Sequence, residues 1–248
     1  MYGKFAEIYA RGEYPRFSAA AAGLLPPVLR QFKMKPRTVL DVACGEGTFA
    51  VAMAKNGHPV TGVDQSREML RLARMRARTE GVRVRFLRRD MRSLSFREEF
   101  DLATCWYDSL NYLLRQEDLE RTFRGVRRAL KEGGFFIFDM NNEHALSVVW
   151  QRNPSNVQQD DAETFEVHRP SWDPKRRIAT LRITGFIRSG KMWTRIDEEH
   201  RERAYGLPKI RRCLRNAGLR ELAVWGSIRD MTPVRPGNGR VWIVAQKS

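Results

Sequence analysis

Between Val39 and Ala50 a short apolar run breaks into a glycine-punctuated turn and then into a helical pattern, V-L-D-V-A-C-G-E-G-T-F-A. No other stretch limits the possible folds as much. The β-branched run at 38–42 suits a strand buried on both faces. Gly45 and Gly47 follow it on a strand-to-helix turn. Glycines there let the backbone turn tightly and approach a ligand, while the helix N-terminus offers free N–H groups.

The same rhythm repeats. Helix is predicted over 2–32 with an interruption at 12–15, then over 48–56, 66–79 and 117–130. Short strands are predicted at 59–63, 84–87, 100–105 and 135–140, and Ser66 is placed to cap its helix. This alternation predicts an α/β fold with a doubly wound, mostly parallel sheet. After Asn142 the pattern changes. Alternating β-rich stretches at 164–169, 177–188 and 191–205, separated by turn signals at 173–174 and 189–190, predict a three-stranded antiparallel meander. A helix at 207–217 and strands at 222–225 and 241–245 return the chain to the sheet. The expected division is an α/β domain of 1–140 plus 205–248, with 141–204 inserted as a small antiparallel β-lobe.

Composition removes several classes. Hydrophobic residues make up 42% of the 248, which supports a real core. No apolar run approaches the roughly 20 residues of a membrane span, and 19–25 lacks the shape of a signal peptide. A cytoplasmic protein is expected. Cys44, Cys105 and Cys213 are distant from one another and odd in number, so neither a disulfide framework nor a zinc knuckle is expected. The net charge of +16 is mostly arginine. It admits a polyanionic partner, but the arginines are scattered without a recognised RNA-binding motif. The favoured reading is a solvated, arginine-biased surface.

Gly45-x-Gly47-x-x-Ala50 also fits the dinucleotide pattern, so a nicotinamide-dependent oxidoreductase competes. Three acids shift the balance. Asp41 ends the first strand, where a carboxylate suits a cationic ligand and opposes a pyrophosphate. Asp64 ends the second strand, where an acid can accept both ribose hydroxyls. Asp90 ends the third, where it can accept from an adenine amino group while Met91 offers its N–H to the ring.

At these residues the sequence resembles the class I S-adenosylmethionine-dependent methyltransferases. Their successive motifs occur in order: V-L-D-V-A-C-G-E-G-T at 39–48, V-T-G-V-D-Q-S at 60–66, R-R-D-M at 88–91, F-D-L-A-T-C at 100–105 and L-K-E-G-G-F-F-I-F-D at 130–139. The resemblance implies a seven-stranded sheet and S-adenosylmethionine as cofactor. It implies a glycine loop (Ala43, Gly45, Gly47) under the methionine part, Asp64 and Gln65 at the ribose, and Asp90 and Met91 at the adenine. Asp41, Met69 and Cys105 are further expected cofactor positions. F-A-E-I-Y at 5–9 resembles an amino-terminal helix that covers the cofactor, which makes Tyr9 a candidate; the acid usual after that tyrosine is Ala10 here. The stretch 198–205 and the helix after it resemble small-molecule N-methyltransferases whose β-lobe caps the site.

The substrate should meet the cofactor at the carboxyl end of the fourth strand. There Tyr107, Asp108 and Asn111 can orient an acceptor; alternatively, Asp108 caps a helix between core aromatics. Counting by twos places His200 on one strand face with Met192 and Ile196. It is either a general base in an apolar roof or a histidine hydrogen-bonded within the lobe. The expected function is methyl transfer to nitrogen or oxygen of a small molecule by a monomer or homodimer. RNA methylation is the alternative, weakened by the absence of an Asn/Asp-Pro-Pro-Tyr/Phe motif.

Overall fold

The computed structural model describes Gly3 and residues 5–248; residues 1, 2 and 4, at the start of the expected first helix, lie outside the described residues. Helices α1 (Phe5–Arg11) and α2 (Tyr14–Gln31) precede β1 (Val39–Val42), which is buried at every position. Then follow α3 (Thr48–Lys55), β2 (Val60–Asp64), α4 (Arg67–Thr79), β3 (Arg85–Arg88), β4 (Phe100–Cys105), α5 (Gln116–Ala129) and β5 (Leu130–Asn141). The lobe contributes β6 (Asn156–Asp160), β7 (Thr164–Asp173), β8 (Ile178–Ser189) and β9 (Met192–Arg203). The chain closes with α6 (Leu207–Ala217), β10 (Leu219–Trp225) and β11 (Arg240–Lys247).

Seven strands form one sheet in the order β10-β11-β5-β4-β1-β2-β3. The first five strands in the sequence pair in parallel, and β11 runs antiparallel to both β5 and β10. β1 shows why the sequence folds this way. Leu40 and Val42 face a core containing Phe123, Phe136 and Phe138. Val39 faces the opposite core with Phe49, Leu102 and Ile137. A strand sandwiched between two helical layers favours apolar residues on both faces, which makes the buried Asp41 the exception in β1. Each fully buried Leu or Phe contributes about 1.5–3 kcal/mol. Ser66 caps α4 as expected, its Oγ accepting from Met69 N at 3.2 Å.

The second sheet has four antiparallel strands, β6-β7-β8-β9, where the sequence suggested three. The added strand, N-V-Q-Q-D, is polar and mostly exposed at an edge. It has one buried-type residue and no alternation to reveal it. A short π and 3₁₀ segment (Ala145–Val149, Trp150–Arg152) joins the two sheets and was also not foreseen. It starts where Asn142 Oδ1 accepts from Ala145 N at 3.1 Å. Helix α1 is wedged between α4 and the lobe, with Phe5 and Ile8 packed against Met69, Ile183 and Ile196.

Gly47 fixes the approach of α3 to α4. Its φ is 86°, and a Cβ there would lie 2.8 Å from the Cβ of Ala73. The Gly47→Ala variant should lose about 2–3 kcal/mol from backbone strain and overpacking. Urea unfolding with an unchanged m-value checks this; stability equal to wild type would contradict it.

Candidate active site

Parallel pairing of β1 with β2 and β4 brings Asp41, Asp64 and Thr104 to one edge of the sheet. Beyond β1 the backbone enters the left-handed region at Ala43 (φ 56°), Gly45 (54°) and Gly47 (86°). A Cβ on Gly45 would meet nothing within 4 Å, so this turn faces open space. The turn, the ends of β2 and β3 and the segment after β4 enclose a cavity of about 320 Å³.

Most of the expected cofactor residues line it: Tyr9, Asp41, Ala43, Gly45, Asp64, Gln65, Met69, Asp90 and Met91. Two do not. Gly47 acts indirectly, through helix packing. Cys105 is fully buried in the core with Leu110 and Phe138 and does not line the cavity. Burial pushes its thiol well up, with nearby carboxylates adding to the effect. Its position at a strand end could not reveal this, because alternation sends neighbouring side chains to opposite faces.

The cavity wall is acidic. Asp41, Glu46, Asp64, Asp90 and Asp118 line it, with Arg89 and Arg92. Arg92 is engaged by Asp90 at 2.6 Å and by Asp118 at 3.5 Å. That pairing holds the Asp90 carboxyl below its usual range. Asp41 is 2% exposed. Burial pushes its carboxyl up to about 8; the Thr104 hydroxyl, which donates at 3.0 Å, opposes the shift, and Asp64 and Glu46 add to it. Asp64 accepts from Gly45 N at 3.0 Å and from Ser66 N at 2.7 Å. The Gln65 amide adds a third backbone donor, and burial pushes the carboxyl up against these three. Trp106 also lines the cavity, and its indole Nε1–H is buried with no acceptor among the described residues. An open glycine cradle, a buried acid, a ribose-type carboxylate and an unused donor fit a ligand with a cationic amino-acid end and a nucleoside. A pyrophosphate would face carboxylates.

A second cavity of about 340 Å³ lies under the lobe and shares Tyr9, Tyr107 and Tyr112 with the first. Tyr107 and Asp108 both have left-handed backbones (φ 57° and 52°). Their amides donate to the Asp139 carboxylate at 2.7 and 3.0 Å. Arg240 donates to Asp139 and, at 2.8 Å, to Asp108. Its guanidinium also lies over the rings of Phe17 (4.7 Å) and Tyr107 (5.6 Å). Burial pushes Asp139 up to about 6 despite Arg240, and pushes the Tyr107 phenol up as well. Asn111 does not face the cavity. Its side chain bridges Asn141 and the Arg203 carbonyl and so ties the lobe to the sheet.

His200 does reach the second cavity, its Nδ1 2.9 Å from the Tyr112 hydroxyl and its Nε2 3.4 Å from Glu198. Its strand face is not the apolar roof expected. Ile196 is buried with it, but Met192 is 74% exposed, and Glu198 and Glu202 share the face. Glu202 was missed, although it lies two residues beyond His200. It is 2% exposed, accepts from Asn141 Nδ2 at 3.0 Å and lies within hydrogen-bonding reach of Asp108. Burial, with Asp108 beside it, holds its carboxyl well above the usual range. Also missed was a polar cluster on β7. His168 Nε2 lies 2.5 Å from Glu166 and 3.0 Å from the Tyr14 hydroxyl.

A doubly wound sheet of this order, with an acidic nucleoside cavity at its carboxyl edge, defines a class I S-adenosylmethionine-dependent methyltransferase. The comparisons agree. A family model described as a methyltransferase domain matches residues 39–134. A protein of Geobacillus sp. (strain WCH70) that bears a provisional methyltransferase name is 32% identical over 222 residues, 88% of each chain. The crystal structure of a S-adenosylmethionine-dependent methyltransferase from Clostridium acetobutylicum ATCC 824 matches with a TM-score of 0.85 and 31% identity, covering 99% of this chain and 98% of that one. The sugar N-methyltransferase KedS8 from Streptoalloteichus sp ATCC 53650 shares the fold at a TM-score of 0.77 and 18% identity, covering 96% and 91%. The chain belongs to the S-adenosylmethionine-dependent methyltransferases, and S-adenosylmethionine is its cofactor. The oxidoreductase reading finds no support. Among the described residues no helix is long and apolar enough to cross a membrane.

The raised Asp41 carboxyl has a cost in the ligand-free protein. A folded state that holds this proton to about pH 8 is favoured at low pH and loses that advantage as pH rises from about 4 to 8. Asp41→Asn should therefore leave the ligand-free Tm little changed at pH 4 and raise it by roughly 4 °C or more at pH 8.5. Thermal scans at the two pH values test this; an equal effect at both would contradict the burial argument.

Proposed function

We propose that the chain transfers the methyl group of S-adenosylmethionine to an amine nitrogen of a small polar molecule held under the β-lobe. The observation that carries this reading is the Asp108–Glu202 carboxyl pair in the wall of the second cavity, one shared tyrosine away from the first. Burial makes this pair hold a proton, with Arg240 already meeting the Asp108 charge, and an entering cation lets Glu202 ionise, so the pair favours a ligand that brings positive charge. The lobe-covered volume suits a small acceptor better than a macromolecule. The sugar N-methyltransferase named among the structural neighbours is consistent with a nitrogen acceptor.

When bound, S-adenosylmethionine supplies an electrophilic methyl group. The chain binds, orients and keeps water out. In this reading Asp41, Ala43 and Gly45 hold the amino-acid end, Asp64 and Gln65 the ribose, and Met91 the adenine edge. Tyr9 and Met69 cover the cofactor. Asp90, already paired with Arg92, shapes the adenine wall rather than acting as a free acceptor. Asp108 and Glu202 draw in the acceptor's ammonium. Tyr107, kept neutral by burial, closes the boundary between the cavities. His200, oriented by Tyr112, takes the proton that the ammonium must lose before its lone pair can attack. Holding nitrogen and methyl in line supplies much of the acceleration.

The test uses methyl-labelled S-adenosylmethionine with matched panels of small amines and hydroxyl compounds, with NMR locating the label. Transfer to nitrogen is expected; transfer only to oxygen, or only to RNA, would refute the reading. With the amine found, Glu202→Gln, which can no longer ionise when the ammonium enters, should raise KM about 10- to 100-fold, as expected when a charged hydrogen bond cannot form. His200→Ala should lower kcat at least tenfold with cofactor affinity kept. A His200 variant that loses only stability would make that histidine structural.

A further inference from the structure

At the opposite end of β2 and β3 from the cofactor lies a groove of about 520 Å³ between α4 and the edge strand. Its floor is apolar, with Val60, Val84 and Phe86, and its rim carries Arg74, Arg78, Arg83 and Arg85, all exposed. Among the described residues Arg74, Arg78 and Arg83 have no carboxylate within 4 Å, and Arg85 has only Glu99 at 3.8 Å. Many other arginines of this chain are neutralised, as Arg76 is by Glu46 and Arg92 by Asp90. Arg74 is also held in place, donating to the Phe86 carbonyl at 3.2 Å.

Four like charges around one groove repel one another, and burial does not compensate them. They are stabilised when an anion enters. Guanidinium forks match phosphate oxygens bidentately, and a row of them matches a repeating phosphate chain better than a single ion. β3 is the outermost strand of its sheet, so the groove is open along its length. A flexible single strand can bend its backbone to follow arginines spread over a helix face and a strand edge, which a stiff duplex does not.

We propose that this groove is a docking site for a single nucleic-acid strand, bound through its phosphodiester backbone. The strand is not the methyl acceptor, because the groove opens at the amino ends of β2 and β3 while both site cavities lie at the carboxyl side of the sheet. Sequence alone favoured a merely solvated basic surface; the folding of α4 against β3 is what gathers these arginines without counter-ions.

Fluorescence anisotropy with a labelled 20-nucleotide uridine oligomer, and with its deoxy counterpart, tests this on the full chain. Engaging about four phosphates should give a log–log salt slope near −2.8, which is roughly a 50-fold loss of affinity between 50 and 200 mM salt. Arg78→Glu/Arg83→Glu should cut the slope by about 1.4 and weaken binding at least tenfold. Arg215→Glu/Arg220→Glu, which changes net charge equally on another face, should leave the slope unchanged. Both variants should bind S-adenosylhomocysteine like wild type, which shows that they fold. Absence of saturable binding at 50 mM salt, equal losses in the two variants, or displacement by polyglutamate at equal charge concentration would overturn the proposal.

Discussion

The site depends on a left-handed turn. Between the end of β1 and the start of α3, Ala43, Gly45 and Gly47 all take positive φ values. This lets the chain leave a fully buried strand and enter a helix while keeping main-chain N–H groups at the cavity. Asp64 completes the arrangement. By accepting from Gly45 N and Ser66 N, it joins the end of β2 to the turn and to the start of α4. One carboxylate therefore sets both the shape of the cradle and the position where a ribose would bind. Asp41, beneath the turn, is buried at an energetic disadvantage that a cationic ligand relieves.

Arg240 plays the matching part at the second cavity. It reaches from β11 to Asp139 on β5 and to Asp108 after β4, and so offsets two carboxylates buried side by side. Asp139 in turn holds the amides of the strained Tyr107–Asp108 pair. The wall between the two cavities is thus fixed by a charge network rather than by apolar packing. Removing one partner would strand the other charges, which costs more than the intact pair contributes. Such local disadvantages belong at functional sites, where a ligand can offset them.

The parallel sheet was legible because its signals are local. Most strands of the run 38–140 carry a short apolar segment, and the acids at 41, 64 and 90 sit at or just beyond their carboxyl ends. The second cavity was not legible in the same way. Glu202, His168 and Arg240 face one chamber only because the lobe folds back over the sheet, and no spacing between residues 108 and 240 encodes that contact. Glu202 could have been found by extending the His200 face by one more step. Cys105 was misplaced because a strand-end position was trusted over the face it points to. β6 escaped because an exposed polar edge strand has no hydrophobic period.

The account stands most directly on Asp64. Calorimetry of S-adenosylmethionine binding to the cofactor-free protein should show one saturable site. In Asp64→Ala the affinity should fall by about 1–3 kcal/mol, the worth of hydrogen bonds to a charged group, while the protein remains folded. Wild-type affinity in a folded Asp64→Ala protein would contradict the assignment of the carboxyl edge of the sheet as the cofactor site.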